Sequence, residues 1–275
     1  MPSKAIRTVG VFMFLCASIA AAQTAPVVNS SGGILNGASF SGLPPAAGSI
    51  VSLFGTNLGS FTLIAVAPPL PTTFGGVTVG MDSTAAPLFF ASPAQINLQI
   101  PWELAGQAQV SVTVTVGSIT SAPVALNLTS FAPGIFTVNS QGNGQGAILI
   151  SSTGELAALE GSLPGRATRP VRSGEFLSIY CTGLGDVTNR PASGLPAPGD
   201  PLSTTIAAPT VTIGGVSAAV NFSGLSPGFV GVYQVDVQVP ENVPTGAEVP
   251  VELTIGGAAS NTVTIAVGPL PLGQE

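Results

Sequence analysis

The stretch GSIVSLFGTNLGS at residues 48–60 returns 126 positions later as GEFLSIYCTGLGD at 174–186, with Gly48 falling on Gly174 and Gly59 on Gly185. A chain that writes one passage twice must adopt a plan that can be built twice from about half its length. In both copies an apolar run, Ile50, Leu53 and Phe54 or Phe176, Leu177 and Ile179, leads into a Thr-x-Leu-Gly turn. Three further echoes share an offset of 139: GGVTV at Gly75 with GGVSA at Gly214, QINLQIP at Gln95 with QVDVQVP at Gln234, and VSVTVTVG ending at Gly117 with VPVELTIG ending at Gly256.

The echoes carry their own secondary structure. Val110, Val112, Val114 and Val116 alternate with Ser111, Thr113 and Thr115, while Val235, Val237 and Val239 alternate with Asp236 and Gln238. Period two means strands with one buried and one wet face. The 35 Gly and 25 Pro cut the apolar content into short runs, which argues for an all-β chain. About seven strands per copy read as two tandem immunoglobulin-like β-sandwich domains. The aromatic girdles of an outer-membrane barrel cannot be built from two Tyr and one Trp.

Lys4 and Arg7, the apolar run VGVFMFLCASIA and Ala20-Ala21-Ala22 read as a secretory signal peptide cleaved near Ala22. The mature part then holds four arginines against twelve acids, a formal charge of −8, which makes nucleic acid an unsuitable partner. Cys181 is its one cysteine, has no internal disulfide partner and reads as a small buried hydrophobe. No later stretch reaches the roughly 20 uninterrupted apolar residues of a membrane helix. The expected organisation is a signal peptide at 1–22, a linker at 23–32, domain 1 at 33–131, domain 2 at 132–268 and a tail at 269–275. Phe131-Ala132-Pro133-Gly134 carries the passage between domains. Matching GIL at Gly33 to GIF at Gly134 puts an insertion of about 25 residues in domain 2, within 140–172, and a further 13 residues around NRPASGLPAPGDP. GAILISSTGELAAL reads as a hairpin turning at Thr153-Gly154, and LPGRATRPVR as loop.

GSIVSLFGTNLG, APLFFASPAQINLQIPWE, APGIF, CTGLGDV and GLSPGFVGVYQVDVQVP together resemble the Solibacter-type uncharacterised C-terminal domain family. The paired strand and turn is similar to the IPT/TIG branch of immunoglobulin-like folds. The resemblance covers roughly residues 33–268 and implies a region of secreted or surface proteins, with no catalytic residues to carry over.

Histidine is absent from all 275 positions, which excludes Ser-His-Asp and Cys-His nucleophile arrangements and His-based zinc sites. GLSPG at Gly224 matches a nucleophile elbow in letters only, because Pro227 lacks the N–H that the oxyanion hole needs. GNGQG at Gly142 has the wrong spacing for a nucleotide loop and reads as a hairpin lead-in. No D-x-D-x-D run suggests calcium, and no cofactor or metal is implied. The candidate ligand-binding residues are Arg166, Arg169, Arg172 and Arg190, all within 25 residues of one another, as bidentate donors to carboxylates or uronic sugars, and Trp102 as a stacking platform. The reading is a secreted, non-enzymatic tandem module that binds protein or polysaccharide at the cell surface, in the periplasm or in the matrix. Loops 140–172 and 186–205 of domain 2 would form the contact surface, with the open strand edges as a second route. The alternatives are a carbohydrate-active protein using loop carboxylates of domain 2, and a structural spacer in an envelope assembly.

Overall fold

A computed structural model describes residues 24–30 and 32–268; the expected signal peptide and tail lie outside the described residues. Among the described residues the chain is all-β apart from a 3-10 turn at Trp102–Leu104, and no helix is long and apolar enough to cross a membrane. In the first domain β1 (Val27–Val28), β2 (Ile34–Asn36), β3 (Ile50–Thr56) and β4 (Leu63–Ile64) precede β5 (Val77–Met81), β6 (Thr84–Ala85) and β7 (Leu88–Ala91). Then come β8 (Gln95–Gln99), β9 (Gln109–Val116), β10 (Ile119–Thr120) and β11 (Val124–Asn127). One edge of β3 takes β1 and β2 end to end and the other takes β8, with β7 and β4 beyond. The facing sheet centres on β9, paired with β5, β10 and β11. Two antiparallel sheets facing each other in this way make an immunoglobulin-like sandwich.

The second domain repeats it with β12 (Gly134–Ile135), β13 (Ile148–Ile150), β14 (Leu156–Ala157), β15 (Thr168–Arg169) and β16 (Phe176–Thr182). There follow β17 (Thr210–Ile213), β18 (Val216–Leu225), β19 (Tyr233–Gln238), β20 (Gly246–Ile255), β21 (Ala258–Ala259) and β22 (Val263–Val267). Here β16 takes β12 and β13 on one edge and β19 on the other, while β20 takes β17 and β22. The long β18 belongs to both sheets, pairing first with β17 and then with β19. The valines of β9 and β19 point inward as the alternation requires, and each domain closes on one aliphatic core.

Strand register corrects the phase of the repeat. Leu53 opposite Ile96 corresponds to Ile179 opposite Val235, which upholds the offsets of 126 and 139 for these strands. The GGVTV and GGVSA pairing fails, because Gly75-Gly76 precedes β5 whereas Gly214-Gly215 is the turn between β17 and β18. The true counterpart of β5 is β17: Val79 faces Val114 as Val211 faces Leu253, an offset of 132. Likewise β12 matches β1 and β13 matches β2, so GIF is not the partner of GIL. Val28 is 5% exposed in the first core, so the expected linker at 23–32 already holds the first strand of domain 1. GAILISSTGELAAL does form the β13–β14 hairpin, but the expected loop after it contains β15, parallel to β14.

The extra length of domain 2 therefore falls in several loops, and two of them grip domain 1. In the loop between β16 and β17, the Ser193 hydroxyl accepts from the Trp102 backbone N–H at 2.8 Å and donates to Glu103 Oε2 at 2.6 Å. Gly194 N–H donates to Gln99 Oε1 at 2.8 Å, and its carbonyl accepts from Leu70 N–H at 2.9 Å. In the loop between β18 and β19, Gly231 lies against Gly48 and Ile50 of domain 1, and its carbonyl accepts from the hydroxyl of Thr182 in β16, whose oxygen in turn accepts from Ile50 N–H at 3.0 Å. Loop 186–205, expected as a recognition surface, is thus in part a clamp between domains.

Gly48 sits beneath the Trp102 ring with φ +78°, and a Cβ there would lie 2.1 Å from the indole. Its repeat partner Gly174 has φ +83° and open space around it. Gly174→Ala should cost only backbone strain, about 1 kcal/mol. Gly48→Ala should cost at least about 2 kcal/mol more, because the ring must be displaced as well. Urea unfolding of both variants checks this; equal losses would show that the Trp102 contact yields freely.

Candidate functional site

The structure divides the four arginines that the sequence places together. Arg169, in the edge strand β15, donates from Nε to Glu155 at 3.0 Å and through both terminal nitrogens to Glu175. The fork on Glu175 and its hydrogen bond from Arg172 N–H hold that carboxyl below its usual range, against the opposing effect of burial. Arg169 is therefore held by internal pairing, while Arg166 and Arg172 are exposed nearby. Arg190 lies beyond the other end of β16, paired with Asp186 at 3.1 Å and stacked 5.7 Å from the Trp102 ring centre. Seven residues of β16 at about 3.3 Å each put roughly 20 Å between these two groups. They do not make one anion-binding face.

Trp102 corrects the expectation of a stacking platform. It is 3% exposed, packed at the domain junction among core residues of the second domain, and offers no face to a sugar. A cleft of about 570 Å³ opens at the same junction between Leu43, Phe131 and Asn261. Its two asparagines are committed to the backbone: Asn36 holds Ala132 O, Ala38 N and Ser39 N, and Asn261 holds Ile135 and Gly142. The cleft is thus a structural seam.

The outward faces of the two larger sheets carry a different pattern, and carry it twice. In domain 2 three strands align Tyr180 of β16 with Gln234 of β19 and Gly224 of β18, and one step along, Ser178 with Asp236 and Phe222. A Cβ on Gly224 would meet the Ser203 carbonyl first and then Phe222 Cζ at 2.8 Å, so the absent side chain makes room for both the Ser203 backbone and the Phe222 ring. Between Tyr180 and that ring, Gln234 Nε2 donates to both Asp236 oxygens at 2.9 and 3.1 Å. Burial first, and then Asp236, raises the Tyr180 phenol above its usual value, so it remains an O–H donor at neutral pH. In domain 1 the same positions hold Phe54, Gln95, Asn97 and Phe90, with Gln95 Nε2 donating to Asn97 Oδ1 at 2.8 Å. All eight side chains belong to half-buried residues.

Each face presents two aromatic rings flanking a polar pair. Strands stand about 4.8 Å apart, so Tyr180 and Gly224 lie roughly 10 Å apart across the sheet. Such a surface can stack a ring and hydrogen-bond its edge.

The amides were visible as the wet positions of QINLQIP and QVDVQVP. The aromatics on the third strand were not. In both domains a register shift interrupts that strand, between Leu88 and Phe90 and between Val220 and Phe222. Unbroken alternation from Leu88 or Val220 would bury Phe90 and Phe222; the bulge turns them to the outside. The signal available was the repeat itself, with Asn221-Phe222 at the corrected offset from Phe89-Phe90.

No protein-family model matches the chain, and no curated protein matches it. Among solved structures it is similar to SGBP-B from a complex xyloglucan utilization locus in Bacteroides uniformis, at 12% identity and TM-score 0.27, over 88% of this chain and 49% of that one. It is also similar to the surface glycan-binding protein PbSGBP-B from Prevotella bryantii, at 12% identity and TM-score 0.26, over 78% of this chain and 36% of that one. A third is domains 5–6 of the S-layer protein SbsC, at 11% identity and TM-score 0.26, over 90% of this chain and 100% of that one. The chain spans about half the length of the first and about a third of the second. Likenesses this distant leave its ligand to be read from its own side chains.

The Arg169 pairing makes a measurable claim. Glu175 has its folded-state pKa depressed, so its contribution to stability is complete above the usual carboxylate range and is lost as pH falls through the depressed value. Arg169→Met should lower stability at neutral pH and flatten its decline below about pH 5. Urea midpoints across pH 3 to 7 test this, and parallel pH curves for the two proteins would refute it.

Proposed function

We propose that this chain is a non-catalytic module that binds a polysaccharide chain at the cell surface or in the matrix, through the outward sheet face of each domain. The observation that carries this is the repeated constellation of Tyr180, Gln234, Asp236 and Phe222 in one domain and Phe54, Gln95, Asn97 and Phe90 in the other. A pyranose ring has an apolar C–H face that stacks on an aromatic ring and hydroxyls that need donors and acceptors at its rim. Two rings separated by a polar pair meet both needs along an extended chain. The amide and carboxylate are oriented by their own hydrogen bonds, which lowers the ordering cost of binding. The interdomain clamp fixes the angle between the two faces, so one long ligand can engage both and gain by avidity.

Single replacements Tyr180→Ala and Phe222→Ala should each weaken retention of the purified protein in polysaccharide-containing native gels by about tenfold, corresponding to roughly 1.4 kcal/mol. The double replacement in domain 2 should leave the weaker binding of domain 1 alone. Retention of the multiple variant Phe54→Ala, Phe90→Ala, Tyr180→Ala, Phe222→Ala at the unmodified level would defeat the proposal and direct the search to a protein partner.

A further inference from the structure

The two faces are near copies, and their differences are informative. Along β3 and β16 Phe54 is replaced by Tyr180, and along β8 and β19 Asn97 is replaced by Asp236, while Gln95 and Gln234 keep one role. We infer that Asp236 makes the second face selective for uncharged polysaccharide over polyuronate, with the face of domain 1 left indifferent to that distinction. The inference rests on the binding reading above and names the ligand class for it.

The argument is one of donors, acceptors and charge. A carboxylate offers about four lone-pair sites. Gln234 Nε2 occupies one on each oxygen of Asp236, and the half-buried position leaves the remainder toward solvent. A neutral sugar brings hydroxyl donors to those sites. A uronic acid brings a second carboxylate, which meets like charge. The charged groups around the face do not offset this. Among the described residues the ion pairs join Arg169 to Glu155 and Glu175 and Arg190 to Asp186, and none reaches Asp236. Across the neighbouring strands Asp236 faces Ser178 and Phe222, and along β19 it lies between Gln234 and Gln238, so no cation stands opposite it. The tyrosine at 180 is an O–H donor beside the carboxylate, where Phe54 supplies only a ring. This reverses the expectation from the arginine-rich stretch, which pointed to uronic sugars.

The test compares the affinity of the purified full chain for a neutral β-glucan and for polygalacturonate of similar chain length, at low and at moderate salt. The readout is the ratio of the two affinities. Unmodified protein should favour the neutral polymer. Asp236→Asn, which copies the domain 1 face, should shift the ratio toward polygalacturonate by about fivefold or more at low salt, less at moderate salt. The reciprocal Asn97→Asp should shift it the other way. Both substitutions are on the outward face, and matching thermal unfolding curves establish that the fold is kept. An unmodified protein that holds both polymers equally, or a ratio unmoved by Asp236→Asn, overturns this inference and leaves polysaccharide binding standing. Failure of the unmodified protein to bind either polymer overturns both.

Discussion

Each domain depends on two rows of aliphatic side chains meeting between two sheets. The described residues hold a single cysteine and few charges, so burial of these rows is the main source of stability. Val112, Val114, Val79 and Met81 close against Leu53, Ile96 and Leu98 in the first core; Val251, Leu253 and Val211 close against Ile179, Val235 and Val237 in the second. Cys181 belongs to that second layer, where full burial raises its thiol far above the usual range and keeps it unreactive. The Tyr233 ring fills the same core and its hydroxyl donates to the Gly185 carbonyl, tying the start of β19 to the turn that follows β16.

The second constraint is the seam. Phe131 packs against the second core over Gly185 and Gly256, whose missing side chains admit its ring, so the passage between domains has little slack. Trp102 completes the seam from the first domain at a cost: its indole N–H is buried without a hydrogen-bond partner, a penalty of about 1 to 3 kcal/mol. The ring's contact with Gly48 and the Arg190 guanidinium above it oppose that penalty. Loops that lengthen the second copy thus acquire a mechanical role, holding two otherwise similar sandwiches in one relation.

That relation fixes how the two outward faces are set against each other. A sheet face in a sandwich is the flat, rigid surface that an extended ligand can follow, and here it bears aromatic rings held by neighbouring strands and by a glycine at the right place. Arg169 and Arg190, by contrast, lie off opposite ends of β16 and serve local pairing, while Arg166 and Arg172 stay exposed. Proximity in sequence was a poor guide to proximity in space because a seven-residue strand separates its two ends by its full length.

Much of the fold was legible in the letters. Alternation along β9 and β19 decided which residues face the core, because a strand has no other period, and the echo of Gly48 in Gly174 decided that the architecture is built twice. The lack of histidine excluded whole classes of chemistry without any coordinates. The phase of the repeat near GGVTV and GIL, the start of the first domain at Val27 and the burial of Trp102 were decided by pairing between distant segments, which local pattern does not encode. So was the candidate site: Phe90 and Phe222 face outward only because a bulge breaks the period that the sequence suggests, and a bulge exists only when a partner strand is there to be out of register with.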